Sequence, residues 1–131
     1  MGFTQSSQNT YVPVYSHIYS GNREKPIYLA VTVSIRNTDP EDAMTVSIAD
    51  YYDSHGKLIK KYIEKPITIA PMASIRYVIM EDSKTGGSGA NFIIKWSSQD
   101  IISTPIIESI MISTKSQQGI SFTSRSRIIN H

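Results

Sequence analysis

The feature that most constrains this chain is a surplus of side chains branched at Cβ. Of 131 residues, 21 are Ile, 10 Thr and 6 Val, against 2 Leu and 6 Ala. Two heavy atoms on Cβ restrict χ1 against the preceding turn of a helix but suit a pleated surface. Helical bundles rely on Leu and Ala, so the composition excludes an all-helical fold and points to an all-β one.

The apolar residues fall in short alternating bursts separated by turn residues, the spacing of a sandwich or barrel. The clearest burst runs from Ile27 to Arg36. Ile27, Leu29, Val31, Val33 and Ile35 share one face, and Tyr28, Ala30, Thr32, Ser34 and Arg36 share the other. Further strands are expected over 11–19, 45–52, 57–63, 74–80, 91–98, 106–114 and 120–128, with a short extended piece at 66–70. Pro13 has no N–H to give a ladder, which places the first strand at an edge or a bulge. Asp53-Ser54-His55-Gly56 reads as a type I hairpin turn in which Asp53 bonds its own backbone. The expected architecture is an antiparallel β-sandwich of immunoglobulin-like type with about eight strands, and a small closed barrel is the alternative. Residues 1–10 are expected to be a disordered lead-in, and 11–131 a single domain.

Charge and special residues narrow the function classes. A net charge of +2 gives little drive toward nucleic acid. The absence of Cys removes thiol chemistry, disulfides and Cys-ligated zinc. No run reaches the ~18 apolar residues of a membrane helix.

Four stretches carry a family resemblance: Tyr-Val-Pro-Val-Tyr-Ser-His-Ile-Tyr (11–19), Ser-Ile-Arg-Asn-Thr-Asp-Pro (34–40), Gly-Gly-Ser-Gly-Ala-Asn-Phe-Ile (86–93) and Ser-Gln-Gln-Gly-Ile-Ser-Phe-Thr-Ser-Arg (116–125). Together they resemble a family of small bacterial proteins catalogued as a domain of unknown function, over about Tyr11 to Ile129. The resemblance implies an exported protein, in the cell envelope or periplasm, whose export or lipoprotein-type leader is missing from this chain. It brings no catalytic residues. The polar Met1–Thr10 segment lacks the apolar core of a leader, and a cytoplasmic location is the alternative. The order of strands and turns is also similar to immunoglobulin-like domains of bacterial surface proteins.

The chemical motifs are weak. Gly86-Gly87-Ser88-Gly89-Ala90 nearly spells a nucleophile elbow, but that motif needs a strand before it and a helix after it. Polar residues precede this one and a strand follows. The histidines, His17, His55 and His131, have no metal or triad spacing. No metal, cofactor or catalytic residue is expected. Tyr11, Pro13, Tyr15, His17 and Tyr19 would line one side of the first strand, a row suited to stacking on sugars or bases. Lys57, Lys60, Lys61 and Lys65 read as edge protection.

The resulting expectation is a non-catalytic envelope module that binds a protein, a glycan or a small ligand, with no nucleic acid favoured. Its contacts are expected from Gly87, Ser88, Gly89 and Asn91 in the glycine loop, from Gln117 and Gln118, and from Tyr15 and His17. Two alternatives are an oligonucleotide-binding barrel and a hydrolase using Ser88 with His17 or His55. A homodimer through the Pro13 strand is also expected as a candidate. The adjacent pairs Ile93-Ile94, Ile101-Ile102, Ile106-Ile107 and Ile128-Ile129 each require one outward isoleucine, which marks surface for another chain or ligand.

Overall fold

The computed structural model describes residues 4–15, 17–18, 27–28, 30–79, 89–113 and 120–129. Its strands are β1 (Thr4–Val14), β2 (His17–Ile18), β3 (Ile27–Tyr28), β4 (Ala30–Arg36), β5 (Met44–Tyr52), β6 (Leu58–Lys61), β7 (Ile67–Ile69), β8 (Ser74–Ile79), β9 (Ala90–Ser103), β10 (Ile106–Ser113), β11 (Ile120–Arg125) and β12 (Arg127–Ile129). All pairings are antiparallel, and no helix occurs among the described residues. One sheet has the order β12-β1-β9-β5-β6 with β7 also on β5, the second is β11-β10-β4-β8, and β2 pairs β3. Two open sheets with a shared core make a β-sandwich. The closed-barrel alternative is therefore corrected, and with it the oligonucleotide-binding barrel.

The alternation read from Ile27 to Arg36 sets the inner face of β4, where Val31, Val33 and Ile35 are fully buried. Opposite them β9 supplies Phe92, Ile94, Trp96 and Ile102, all fully buried as well. Each such burial contributes about 2–3 kcal/mol before chain entropy is charged against it. Phe92 meets Tyr51, Tyr62 and Tyr77 of β8, and Tyr62 also meets Tyr77, with ring centroids 5.0–6.5 Å apart. In β5 the register shifts between Val46 and Ile48. The extra residue, Ser47, lets Val46 and Ala49 both face inward despite their odd spacing.

Three expectations need correction. The Pro13 strand is not an edge, because β1 lies between β12 and β9. Proline is tolerated there because β12 pairs only Asn9, Thr10 and Tyr11, so the ladder on that side ends before residue 13. That position leaves the Pro13 carbonyl free to accept the Ser109 hydroxyl at 2.6 Å. Second, the strand starts at Thr4, so the domain boundary drawn at residue 11 falls inside β1. Third, Ile110 and Ile112, whose alternation within 106–114 reads from the sequence as a core-facing pair, face outward, and Ile112 is 42% exposed. Ile107, Ser109 and Met111 face the core instead, opposite Ile35, Val33 and Val31. The bond to Pro13 is what makes Ser109 acceptable inside. The chain also has more strands than the eight expected, since 11–19, 27–36 and 120–128 each break in two.

Candidate functional site

Of the residues singled out in the sequence, Tyr15, Gly89 and Asn91 lie at one end of the sandwich. Strand direction puts the end of β1, the start of β4, the β5–β6 turn, the end of β8, the start of β9 and the end of β10 there. Asn91 is half-buried in β9 between Pro13 and Tyr52. Gly89 is exposed, and its N–H donates to the Ser54 hydroxyl at 2.9 Å. Tyr15 is half-buried against the core, and its N–H points at the Met111 sulfur at 3.4 Å. His17 pairs with Tyr28 through β2 and β3. Gly87, Ser88, Gln117 and Gln118 lie outside the described residues.

The Asp53 turn forms as the sequence indicates. The Asp53 carboxylate accepts from the N–H of His55 and of Lys57, both at 2.9 Å, and Gly56 takes φ +81°. Those donors hold the Asp53 carboxyl below the usual carboxylate range, with the Lys57 amide the largest cause. His55 is exposed on this turn.

The Asn-Thr-Asp motif turns out to be a brace at the other end. Asn37 is buried, and its side-chain amide donates to the carbonyls of Asp42 (2.9 Å), Ile69 (3.2 Å) and Ala70 (3.2 Å). Its Oδ1 accepts the Asp39 N–H at 3.0 Å. The Asp39 carboxylate accepts from the N–H groups of Glu41, Asp42 and Ser103 at 2.9–3.0 Å. These backbone donors, Glu41 first, hold the Asp39 carboxyl below its ordinary range. The side chains of Asn37, Thr38 and Asp39 are each bonded to backbone groups of the fold.

The outward face of the β11-β10-β4-β8 sheet is different. Cross-strand register aligns Ser74–Arg36–Ile106 in one row, Arg76–Ser34–Glu108–Arg125 in the next, and Val78–Thr32–Ile110–Thr123 in the third. A cleft of about 550 Å³ opens where the first row meets the β11–β12 kink, lined by Arg36, Pro105, Ile106, Ile107, Glu108 and Ser126. The Ser126 N–H donates to the Ile107 carbonyl at 3.1 Å, which fixes the kink against the cleft wall. A second hollow of about 300 Å³ adjoins it, lined by Thr32, Ser34, Arg36, Ser74, Ile75, Arg76 and Ile110. Arg36 lines both, so the two form one groove across the sheet. Hydroxyls and isoleucines line it, and two exposed arginines, Arg36 and Arg76, lie along it.

Sequence reasoning missed this groove. The available signal was Arg36 closing the outer face of the best amphipathic strand, together with the outward member of the Ile106-Ile107 pair. Among the described residues no three His, Asp or Glu side chains cluster to hold a metal.

Comparison with known proteins decides the family. The model for Protein of unknown function (DUF3124) matches residues 7–129. The chain belongs to this family. This DUF3124 member is also similar in fold to the crystal structure of Thermotoga maritima 1070, with a TM-score of 0.51 at 11% identity over 93% of this chain and 94% of that one. At that identity the likeness speaks for the fold alone. No curated protein matches the chain.

Proposed function

We propose that this DUF3124 chain is a non-catalytic binding module of the cell envelope whose groove takes an anionic glycan. The observation that carries this reading is the continuous groove on the outward sheet face, with Arg36 shared by both hollows and Arg76 at one side. Guanidinium groups bind carboxylate or phosphate in a bidentate fork. The Ser34, Thr32 and Ser74 hydroxyls beside them suit sugar hydroxyls, and Ile106, 50% exposed, offers an apolar wall. Glu108 at the rim accepts hydrogen bonds from a ligand hydroxyl and discriminates against densely charged polyanions.

Calorimetric titration with a soluble polyuronate, a neutral glucan and a single-stranded oligonucleotide tests this. The polyuronate is expected to bind, more weakly at high salt. Arg36→Gln is expected to weaken it about tenfold, the scale of one lost charged hydrogen bond, with no change in melting temperature. Equal binding of the neutral glucan, preferential binding of the oligonucleotide, or indifference to Arg36→Gln overturns the reading.

A further inference from the structure

The four ends of the two sheets are not protected alike. The β6 edge carries Lys60 and Lys61, and β12 is three residues long and opens with Arg127. At β11 the chain continues through Ser126 into the other sheet. β8 is a six-residue edge, Ser-Ile-Arg-Tyr-Val-Ile, with no Pro, no Lys and no register shift. Arg76 is its one charged side chain, and so lightly protected an edge invites pairing with another strand.

The ladder states which backbone groups are free. Asn37 donates to the Ala73 carbonyl at 2.9 Å, and hydrogen-bonded pairs then alternate along β4 and β8. Ile75, Tyr77 and Ile79 therefore exchange bonds with Ile35, Val33 and Val31. The N–H and C=O groups of Ser74, Arg76 and Val78 point away from β4, and no described strand takes them.

We infer that β8 pairs antiparallel with β8 of a second copy, about a two-fold axis at Tyr77. Parity allows axes at Ile75, Arg76 or Tyr77, and charge selects among them. An axis at Arg76 sets Arg76 against the partner's Arg76. An axis at Ile75 sets Arg76 against the partner's Ser74, whose neighbour across β4 is Arg36. An axis at Tyr77 sets Arg76 against the partner's Val78, whose neighbour is Thr32, and leaves the two Arg76 only diagonal to one another. In this register Val78, 49% exposed, is covered by the aliphatic stem of the partner's Arg76. Tyr77 meets the partner's Tyr77 across the axis. The result is an eight-stranded sheet with both grooves on one continuous face. So short an edge buries less than the ~1,200 Å² of a stable complex, so the dimer is weak and concentration-dependent.

Sedimentation equilibrium of the whole chain tests this without ligand, and so independently of the glycan reading. The mass is expected to rise with concentration from 14.6 kDa toward twice that value. Val78→Pro removes only an outward N–H and is expected to stay monomeric with unchanged strand content. Where Val78→Pro fails to fold, two charge variants decide. Val78→Lys meets the partner's Arg76 and is expected to weaken association about tenfold, while Val78→Glu meets the same group and strengthens it. A monomer at every concentration overturns the inference. So do Lys and Glu variants that behave alike.

Discussion

Replacing Asn37 by Ala cuts the brace between the loop after β4 and the corner before β8. The lost amide leaves the Asp39 N–H and the Ile69 carbonyl without partners, in residues 8% and 2% exposed. An unsatisfied buried group costs about 1–3 kcal/mol, so two cost about 2–6 kcal/mol. The Asp42 and Ala70 carbonyls, nearer solvent, recover bonds with water. About 3–4 kcal/mol is the expected loss, a large share of a domain's ~5–15 kcal/mol. For a chain of this size that lowers the melting temperature by roughly 10–15 °C. Asn37→Asp keeps the shape but places a carboxylate against three carbonyls and beside Asp39. It is expected to be worse than Ala at pH 7 and to recover part of the loss by pH 5, as the introduced group, its pKa raised by that environment, takes up a proton. Urea unfolding at both pH values, followed by circular dichroism, measures this. An Asp variant as stable as wild type, or one milder than Ala at pH 7, refutes the brace.

Four further outcomes follow from the aromatic cluster and the turns. The Tyr51 hydroxyl is buried with no hydrogen-bond partner, so Tyr51→Phe is expected to change stability by less than about 1 kcal/mol, or to raise it; a larger loss in urea unfolding means the hydroxyl is bonded. Burial, followed by Tyr62 and Asp53, pushes the Tyr51 phenol up to about 12, and burial also raises Tyr62 and Tyr77. A raised folded value means this stability is intact below pH ~10 and is lost as pH climbs toward 12, which spectrophotometric titration alongside melting will show. Conversely, Asp39 is lowered, so its contribution holds above the unfolded carboxylate range and disappears as pH falls through the folded value; Asp39→Asn is expected to flatten that acid limb. Gly56→Ala meets open space but keeps φ +81°, so it is expected to cost about 1–2 kcal/mol from the backbone alone.

Local chemistry made much of this molecule legible. Steric restriction at Cβ forces the β class, and a period of two fixes which residues of β4 and β8 face inward. The isoleucine pairs behave as the pleat demands: Ile102 and Ile107 are buried, while Ile101 and Ile106 are 67% and 50% exposed. The Asp53 turn was readable because its hydrogen bonds stay within five residues.

Where the outcome depended on a partner strand, the residues alone were silent. Pro13 reads as an edge marker, and only the three-residue reach of β12 explains how it sits inside a sheet. Ile110 and Ile112 look like core until register with β4 hands that side to Ile107, Ser109 and Met111. The groove depends on the same register, since Arg36, Arg76 and Glu108 are far apart in sequence and neighbours only across the ladder. The sequence by itself determined the β class and the inner face of regularly alternating strands such as β4, because alternation is a property of one strand. Tertiary structure decided which strands lie at edges and which polar side chains share a surface, because strand pairing is a relation between distant segments that no single segment encodes.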